Sequence, residues 1–469
     1  MTAAPVNPYD RLQVRWGQGT EMNALEAALW RASANPGFRA ASVVVEVLDT
    51  VPDWQRLVDG HRFGLARIPR LRQRVVDDPL RIGPPAWCDT RVDLAHHVRR
   101  VALRPGSSVQ DALEVAADLH MTVFDPDRPL WQGVLVEGLA DGKAVYLLKV
   151  HHALADGAGI IELFDLVHSD RREPTSGKPL LPDTAHDDRW ALGLSVQHAA
   201  RLAARAPLAA AKLAFGGATA VSRPARTVGG VRTTATAVDR LVSGAPGRPS
   251  TLLRGRGAAR QFRFLELATA DLRAAADRNG ASLGDVFLAG ALGGVARYAA
   301  DRGEQLGDIP VAVPTGVHLA GATMNRLARA RIAGPAGVLD PTERIRVAGL
   351  RAREVWEAPP VDLLRATAAV LSRAPTPLLE RIAGGFTRAC DLQCFTFRGL
   401  DREAYVAGAK VESMAVFGPT AGAAVTMTIT SHGERCGIGL TSDSAAVTDP
   451  DGLRDATADA FDELLAAHR

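Results

Sequence analysis

Cysteine is nearly missing from this chain of 469 residues: Cys88, Cys390, Cys394 and Cys436 form no C-x-x-C unit and no paired spacing. A disulfide framework is excluded, and a reducing compartment is expected. Long apolar runs are missing too. No stretch of about eighteen uncharged apolar residues occurs, so no membrane span is predicted. The opening Met1-Thr-Ala-Ala-Pro-Val-Asn7 lacks the basic-then-apolar pattern of a signal peptide, and the chain reads as cytoplasmic. Charge of one sign is not in excess: 55 Lys and Arg stand against 52 Asp and Glu, and a net +3 is too small to imply nucleic acid as a partner. Lysine is rare, occurring only at positions 143, 149, 178, 212 and 410, so the basic residues are almost all arginine. Arginine suits phosphate recognition, although a GC-rich genome explains the bias equally well.

What remains is 47% hydrophobic, enough for substantial cores in two or three domains. One stretch dominates the rest, Lys149-Val-His-His-Ala-Leu-Ala-Asp-Gly-Ala-Gly159. With His so scarce, the pattern HHxxxDG arises by chance in roughly 0.002 chains of this length and composition, which makes it a strong signal. Ala144–Val150 before it reads as a mostly buried strand, and Ile160–Val167 after it has helical apolar spacing. The histidines therefore sit at a strand end.

That placement restricts the chemistry. Successive side chains on an extended backbone point to opposite faces, so His151 and His152 do not converge on one metal ion, and no metal is expected. One ring faces inward and holds structure; the other faces a cavity, with a near-neutral pKa suited to taking a proton from a hydroxyl. His152 is assigned the cavity. Asp156 is too close in sequence for a relaxed triad with His152 and reads as a structural carboxylate that fixes the loop through an arginine. Gly157 permits a close approach or a positive backbone angle.

HHxxxDG is the signature of the CoA-dependent acyltransferase superfamily, which includes chloramphenicol acetyltransferase and the condensation domains of peptide synthetases. Further stretches carry a narrower resemblance: Ile68-Pro-Arg-Leu-Arg-Gln-Arg-Val75, Val92-Asp-Leu-Ala-His-His-Val-Arg99, Asp127-Arg-Pro-Leu-Trp-Gln132, Ala407-Gly-Ala-Lys-Val-Glu412 and the run 426–453. With them the chain resembles the bacterial wax ester synthase/diacylglycerol acyltransferase family over most of its length. The resemblance implies an α/β fold of two chloramphenicol-acetyltransferase-like lobes forming a V around a central substrate channel. It also implies no cofactor beyond acyl-CoA as co-substrate. It places His151, His152, Asp156 and Gly157 in the catalytic motif and Trp131, Asp285, Asn325 and Arg260 at the substrate site. Arg260 matches a family arginine and is the candidate partner of Asp156. Asp285 also follows Ser282 at helix-capping spacing, a capping box being the alternative to lining the channel. The second pair, His96-His97, lacks the Asp-Gly and is read as structural or surface.

The expected organisation is a first lobe over 1–169, a crossover over 170–258 and a second lobe over 259–469. Within the first lobe, 22–32, 54–67 and 109–121 read as helices, 41–48 as a β-branched strand and 91–103 as extended. The crossover holds an alanine-rich segment, Trp190–Ala220, that either packs on the protein or lies on a membrane or lipid-droplet surface. In the second lobe, 261–267 and 309–314 read as strands, 271–279 and 282–298 as helices, 425–431 and 437–441 as a hairpin, and 450–468 as a closing helix.

Three functions are consistent with this reading. The first is an O-acyltransferase moving an acyl group from acyl-CoA to an alcohol or diacylglycerol hydroxyl, with His152 as general base. The sequence departs from the resembled family in its second half, with Gly284-Asp285, Met324-Asn325 and Gln393-Cys-Phe-Thr-Phe-Arg-Gly399 at channel-shaping positions. The second function is therefore a divergent enzyme with a specialised-metabolite acceptor or a carrier-protein-bound acyl thioester as donor. A non-catalytic lipid or acyl-carrier binder is the third, and retention of both histidines with Asp-Gly argues against it.

Overall fold

The computed structural model describes residues 19–33, 39–175, 187, 189–204, 246–318, 327–356, 390–419 and 422–467. Helix α1 (Ala24–Ala32) precedes the valine-rich run that becomes β1 (Ala41–Leu48), every residue of which is buried. A strand covered on both faces needs no polar alternation. Helix α2 (Trp54–Arg67) starts where the Asp53 carboxylate accepts from the Arg56 N–H at 2.7 Å, a side-chain N-cap. The short strands β2 (Gln73–Val76) and β3 (Ala86–Asp89) pair with each other, and α3 (Leu94–His97) is a single turn capped by Asp93. Residues 91–103 are thus not uniformly extended: the Asp93 cap turns 94–97 into helix before β4 (Val98–Ser107) begins. Helix α4 (Val109–Met121) opens on a capping box made by Ser108 and Asp111. It is followed by β5 (Trp131–Leu139), β6 (Ala144–His151) and α5 (Gly157–Val167). Helix α4 covers one face of this sheet, its Ala112, Leu113 and Ala116 clustering with Val43, Val45 and Val145. Helices α2 and α5 cover the other through Leu57, Leu65, Leu163 and Phe164.

The second half supplies β7 (Arg260–Ala268), α6 (Thr269–Arg278), α7 (Leu283–Ala300), β8 (Asp308–His318), β9 (Leu327–Pro335) and α8 (Pro341–Trp356). After them come β10 (Leu392–Arg398), β11 (Tyr405–Val406), β12 (Ala409–Phe417), β13 (Val425–His432), β14 (Arg435–Asp443) and α9 (Pro450–Ala466). The expected hairpin is β13–β14, antiparallel from Val425↔Ser442 to His432↔Arg435.

Strand order shows what sequence order conceals. One six-stranded sheet runs β11-β12-β1-β6-β5-β4 and the other β7-β14-β13-β10-β8-β9. The first lobe is therefore not closed at residue 169: β12 pairs antiparallel with β1, and Ser169 bridges Tyr405. The turn between β11 and β12 holds Ala407 and Gly408 at positive φ, 50° and 93°, the backbone of a tight hairpin. Strand β12 also joins the lobes. Thr428 Oγ1 donates to its Val416 carbonyl, and its Phe417 stacks on Phe262 of β7 at 4.4 Å, both rings fully buried. Such a pair adds about 0.5–1.5 kcal/mol beyond area burial.

Of the alanine-rich segment, 191–204 is helical and 205–220 lies outside the described residues. Its inner face docks on the first lobe: Leu194 joins Val76, Ala86 and Cys88, while Ser195 and His198 Nδ1 donate to the buried Asp78. Burial alone would raise the Asp78 pKa; the Ser195, His198, Gly83 and Leu80 donors overcome it and hold the carboxyl at about 2. The outer face leaves Trp190, Leu192, Val196 and Leu202 exposed.

Candidate active site

Strand β6 delivers the motif. It ends at His151, a turn covers His152–Leu154, and the Asp156 carboxylate caps α5 by accepting from the Gly159 N–H at 2.9 Å. The two histidines diverge. His151 is buried; its Nδ1 accepts from the Ala153 N–H at 3.0 Å, so its proton sits on Nε2, which donates to Ser33 Oγ at 2.9 Å. Ser33 Oγ donates its own hydrogen bond to the Leu29 carbonyl at 2.7 Å. Burial, with the neighbouring Lys149, lowers the His151 pKa to about 3, which keeps the ring neutral. Trp30 and Phe124 pack edge-on against it. Both nitrogens are thus committed inside the protein.

His152 is half-buried. Its N–H donates to the Ala40 carbonyl at 2.6 Å, and its Nδ1 lies 3.2 Å from Ser42 Oγ. The β1–β6 register brings Ser42 there by setting it opposite Val150 and Ala41 opposite His151. Neither Ser42 nor Ser33 stands out in the sequence, because only the pairing register and the path of α1 bring them to the motif.

Gly157 makes a close approach and not a positive φ: a Cβ there would overlap the Phe397 ring. Phe397 belongs to β10, whose Phe395 and Phe397 enter the first-lobe core. The stretch 393–399, which departs from the resembled family, therefore lies mostly in strand β10, whose Phe397 ring packs against the motif glycine.

The remaining expected site residues separate into three groups. Trp131 is buried on β5, stacked 4.6 Å from the His97 ring, and its Nε1 donates to the Leu71 carbonyl at 2.9 Å. Asp285 caps α7 reciprocally with Ser282 and lies 3.3 Å from the Arg353 guanidinium. Asn325 and Met324 lie outside the described residues.

Among the described residues Arg260 is ion-paired with Asp443 and not with Asp156, the partner expected of it. Arg260 starts β7 directly opposite Asp443 on β14, and their side chains, both nearly buried, pair at 3.0 Å. The nearest carboxylate across the ladder takes the guanidinium, and Asp156 is instead engaged as the α5 cap. His97 is structural, its Nδ1 donating to the Trp131 carbonyl at 2.7 Å and burial lowering its pKa to about 4.

Lys149 is a residue the sequence reading passed over. It is fully buried, donates to the Thr122 carbonyl and hydroxyl at 2.7 and 2.8 Å, and sits 4.2 Å from the Phe124 ring centre. Burial, with Arg39 and Arg99 nearby, pulls its pKa down to about 7. A lone lysine in an otherwise apolar strand before the histidines was the available signal. Among the described residues, no group of three or more His, Cys, Asp or Glu side chains is arranged to hold a metal ion.

The model of the wax ester synthase/diacylglycerol acyltransferase catalytic domain matches residues 7–287, and that of the WS/DGAT C-terminal domain matches residues 325–465. The chain belongs to this family. A Mycobacterium tuberculosis protein named "Putative diacyglycerol O-acyltransferase" is 31% identical over 453 residues, covering 95% of this chain and 92% of the relative. A second so named from the same organism is 27% identical over 436 residues, covering 89% and 90%. The wax ester synthase/diacylglycerol acyltransferase of Marinobacter aquaeolei VT8 superposes with a TM-score of 0.62 at 18% identity, covering 99% of both chains. The first condensation domain of the calcium-dependent antibiotic synthetase superposes at 0.55 with 18% identity, covering 95% of both. The two-lobed α/β architecture is thus the chloramphenicol-acetyltransferase-like one expected of an acyltransferase in this family. No helix among the described residues is long and apolar enough to cross a membrane.

Proposed function

We propose that this protein transfers an acyl group from acyl-CoA to the hydroxyl of an alcohol or diacylglycerol, with His152 as the general base. One observation carries the assignment of roles. His151 spends both nitrogens on Ala153 and Ser33 inside the fold, whereas His152 is half-buried at the strand end with Nδ1 set against Ser42. With Nδ1–H donating to Ser42, the acceptor hydroxyl gives its proton to Nε2 as its oxygen attacks the thioester carbonyl. The tetrahedral intermediate collapses, the C–S bond breaks, and the proton passes from Nε2 to the departing thiolate. General-base catalysis of this kind contributes about 10²- to 10⁴-fold, and positioning supplies much of the remainder. Asp156 and Gly157 act by holding the loop: one caps α5, and the other lets the Phe397 ring close over the helix start. The reading places the enzyme in the cytoplasm, with the exposed Trp190, Leu192, Val196 and Leu202 face offering a peripheral contact to a lipid surface.

The test is release of free thiol from palmitoyl-CoA in the presence of hexadecanol or a diacylglycerol, comparing wild type with His152→Ala. Release should fall by about 10²-fold or more in a variant that stays folded; unchanged release removes His152 as the base. A second reading, a specialised acceptor or a carrier-bound donor, is favoured by the aromatic β10 strand that replaces the family's usual stretch. It predicts turnover with small hydroxylated metabolites or acyl-carrier thioesters where the lipid acceptors give none.

A further inference from the structure

Strand β7 is an end strand of the second sheet, and among the described residues no strand pairs with its outer side. One contact gives the direction of its free backbone groups. The Phe262 carbonyl accepts from Gln110 Nε2 at 3.1 Å, so it points away from β14. In an antiparallel ladder alternate residues bond to the partner strand, and those between them face outward. The unbroken β7–β14 register therefore turns the N–H and C=O of Phe264 and Glu266 outward as well. Gln110 occupies the edge at Phe262, whereas at Phe264 and Glu266 the edge borders a crevice of about 340 Å³ between the lobes.

Val47, Val109, Phe264 and Leu265 give this crevice apolar surface. Ser413, only 1% exposed, lines it with a hydroxyl that has no hydrogen-bond partner among the described residues. A buried hydroxyl left in this way is costly until a ligand or solvent supplies the bond. An ion pair stands on each wall: Lys143 with Glu412 at 2.6 Å on the first lobe, and Arg435 with Glu266 at 2.8 Å on the second. The end strand β4 of the other sheet is closed differently. Arg99, Arg100, Arg104 and Pro105 stand exposed along it, and charges with a proline block strand addition. The half-buried Phe264 and Leu265 set no such guard on β7.

We propose that this crevice binds an extended peptide segment, which adds a strand to β7 and places side chains of both charge signs against the two ion pairs. Its backbone N–H and C=O groups meet those of Phe264 and Glu266, the mode by which open sheet edges take up peptides. The chemistry selects a peptide over a lipid or a nucleotide, because the free groups are main-chain donors and acceptors repeated at strand spacing, flanked by both signs of charge. Lys143 precedes β6, whose far end carries His151, so the crevice lies about 26 Å from the motif at ~3.3 Å per residue. The site is separate from the acyl-transfer chemistry and does not rest on that reading.

The test titrates the full chain calorimetrically with the blocked peptides Ac-Lys-Val-Val-Val-Glu-NH2 and Ac-Glu-Val-Val-Val-Lys-NH2, which present the two charge orders. At least one should bind saturably. N-methylation of its second and fourth residues, or of its third alone, then separates strand pairing from side-chain contact. Only one of these sets faces β7, so one should weaken binding by about tenfold or more and the other by less than about twofold. Val109→Trp fills the crevice, and Phe264→Pro removes an outward N–H without cutting the β7–β14 ladder, an edge position that accepts proline. Both should weaken binding as the effective methylation does, and melting temperatures show whether a loss of binding is loss of fold. No saturable binding of either peptide, equal effects of the two methylation patterns, or unchanged affinity in a folded Val109→Trp overturns the proposal.

Discussion

Around its six-stranded sheet the first lobe buries His97, His120, His151 and Lys149, whereas the second buries a single imidazole, His432, with Asp391 and Asp443, among Val, Ile and Leu and the hydroxyls of Thr426, Thr428, Thr430 and Thr441. The backbone architectures are alike and the electrostatics are not. Hydroxyls do not titrate in the accessible range. Imidazoles and an ammonium buried with few compensating partners must stay neutral or be held at a cost. The first lobe therefore holds more of the buried imidazoles, and more of its stability is tied to their protonation.

The largest expected effect follows from this difference. Burial holds His97 at about 4 and His120 and His151 at about 3 in the folded protein, while their unfolded value is near 6.5. As pH falls below about 6.5 the unfolded chain takes up protons that these rings refuse, so stability is lost, about 1.4 kcal/mol per pH unit for each ring. His61, held at about 4 by burial, adds to the loss, and Glu26, raised by burial to about 7, opposes it as pH falls toward the ordinary carboxylate value. Asp391 in the second lobe runs the other way. Burial raises its pKa to about 6, so between there and the ordinary carboxylate value it favours the folded state as pH falls. Urea unfolding followed by tryptophan fluorescence at pH 7, 6 and 5 should show the first lobe, which holds the buried Trp87 and Trp131, weakening steeply. A flat profile would break the comparison.

The second lobe is vulnerable at a charge pair instead. Arg260→Ala leaves the Asp443 carboxylate, 1% exposed, without its guanidinium, and removing one partner of a buried pair costs about 3–5 kcal/mol. The Gly257 N–H donor at 2.9 Å remains and moderates the loss. A denaturant midpoint shifted by less than the scatter of surface variants would show that Arg260 is dispensable to the fold.

Within the motif the same contrast recurs between neighbours. His151→Ala removes a buried ring and orphans Ser33 and the Ala153 N–H; a loss of about 2–4 kcal/mol is expected from the cavity and the unmet donor. His152→Ala, at a half-buried site, should change stability by less than about 1 kcal/mol. Paired melting curves check this, and equal losses would erase the division of roles between the two rings.

How much of this was legible beforehand depended on how local the cause is. Residues 41–48, 54–67 and 109–121 were bounded correctly because valine runs, the Asp53 cap and the Ser108 box act within a few residues. The Ser282–Asp285 box and the β13–β14 hairpin were legible for the same reason. The transfer of β11 and β12 into the first sheet was not, since the alternation in 409–417 suits either sheet and the choice is made by long-range pairing with β1. Arg260 was misassigned because its partner is fixed by the β7–β14 register. Ser42 was invisible until the β1–β6 register set it beside His152.

The smallest effect tests the contrast between the glycines of α2 and α7. Gly60→Ala adds helix propensity in a place with no neighbour to displace, so it should stabilise the protein by about 0.5–1 kcal/mol. Gly290→Ala adds the same propensity but drives its methyl into the Phe461 ring, and overpacking of that kind costs about 1–3 kcal/mol. Opposite signs from one substitution in two helices would mean that α7 uses glycine to bring helices together and α2 uses it to keep a volume open. A destabilised Gly60→Ala in thermal unfolding would place an atom where the structure has none, and the open space beside Gly60 would then be smaller than its neighbours indicate.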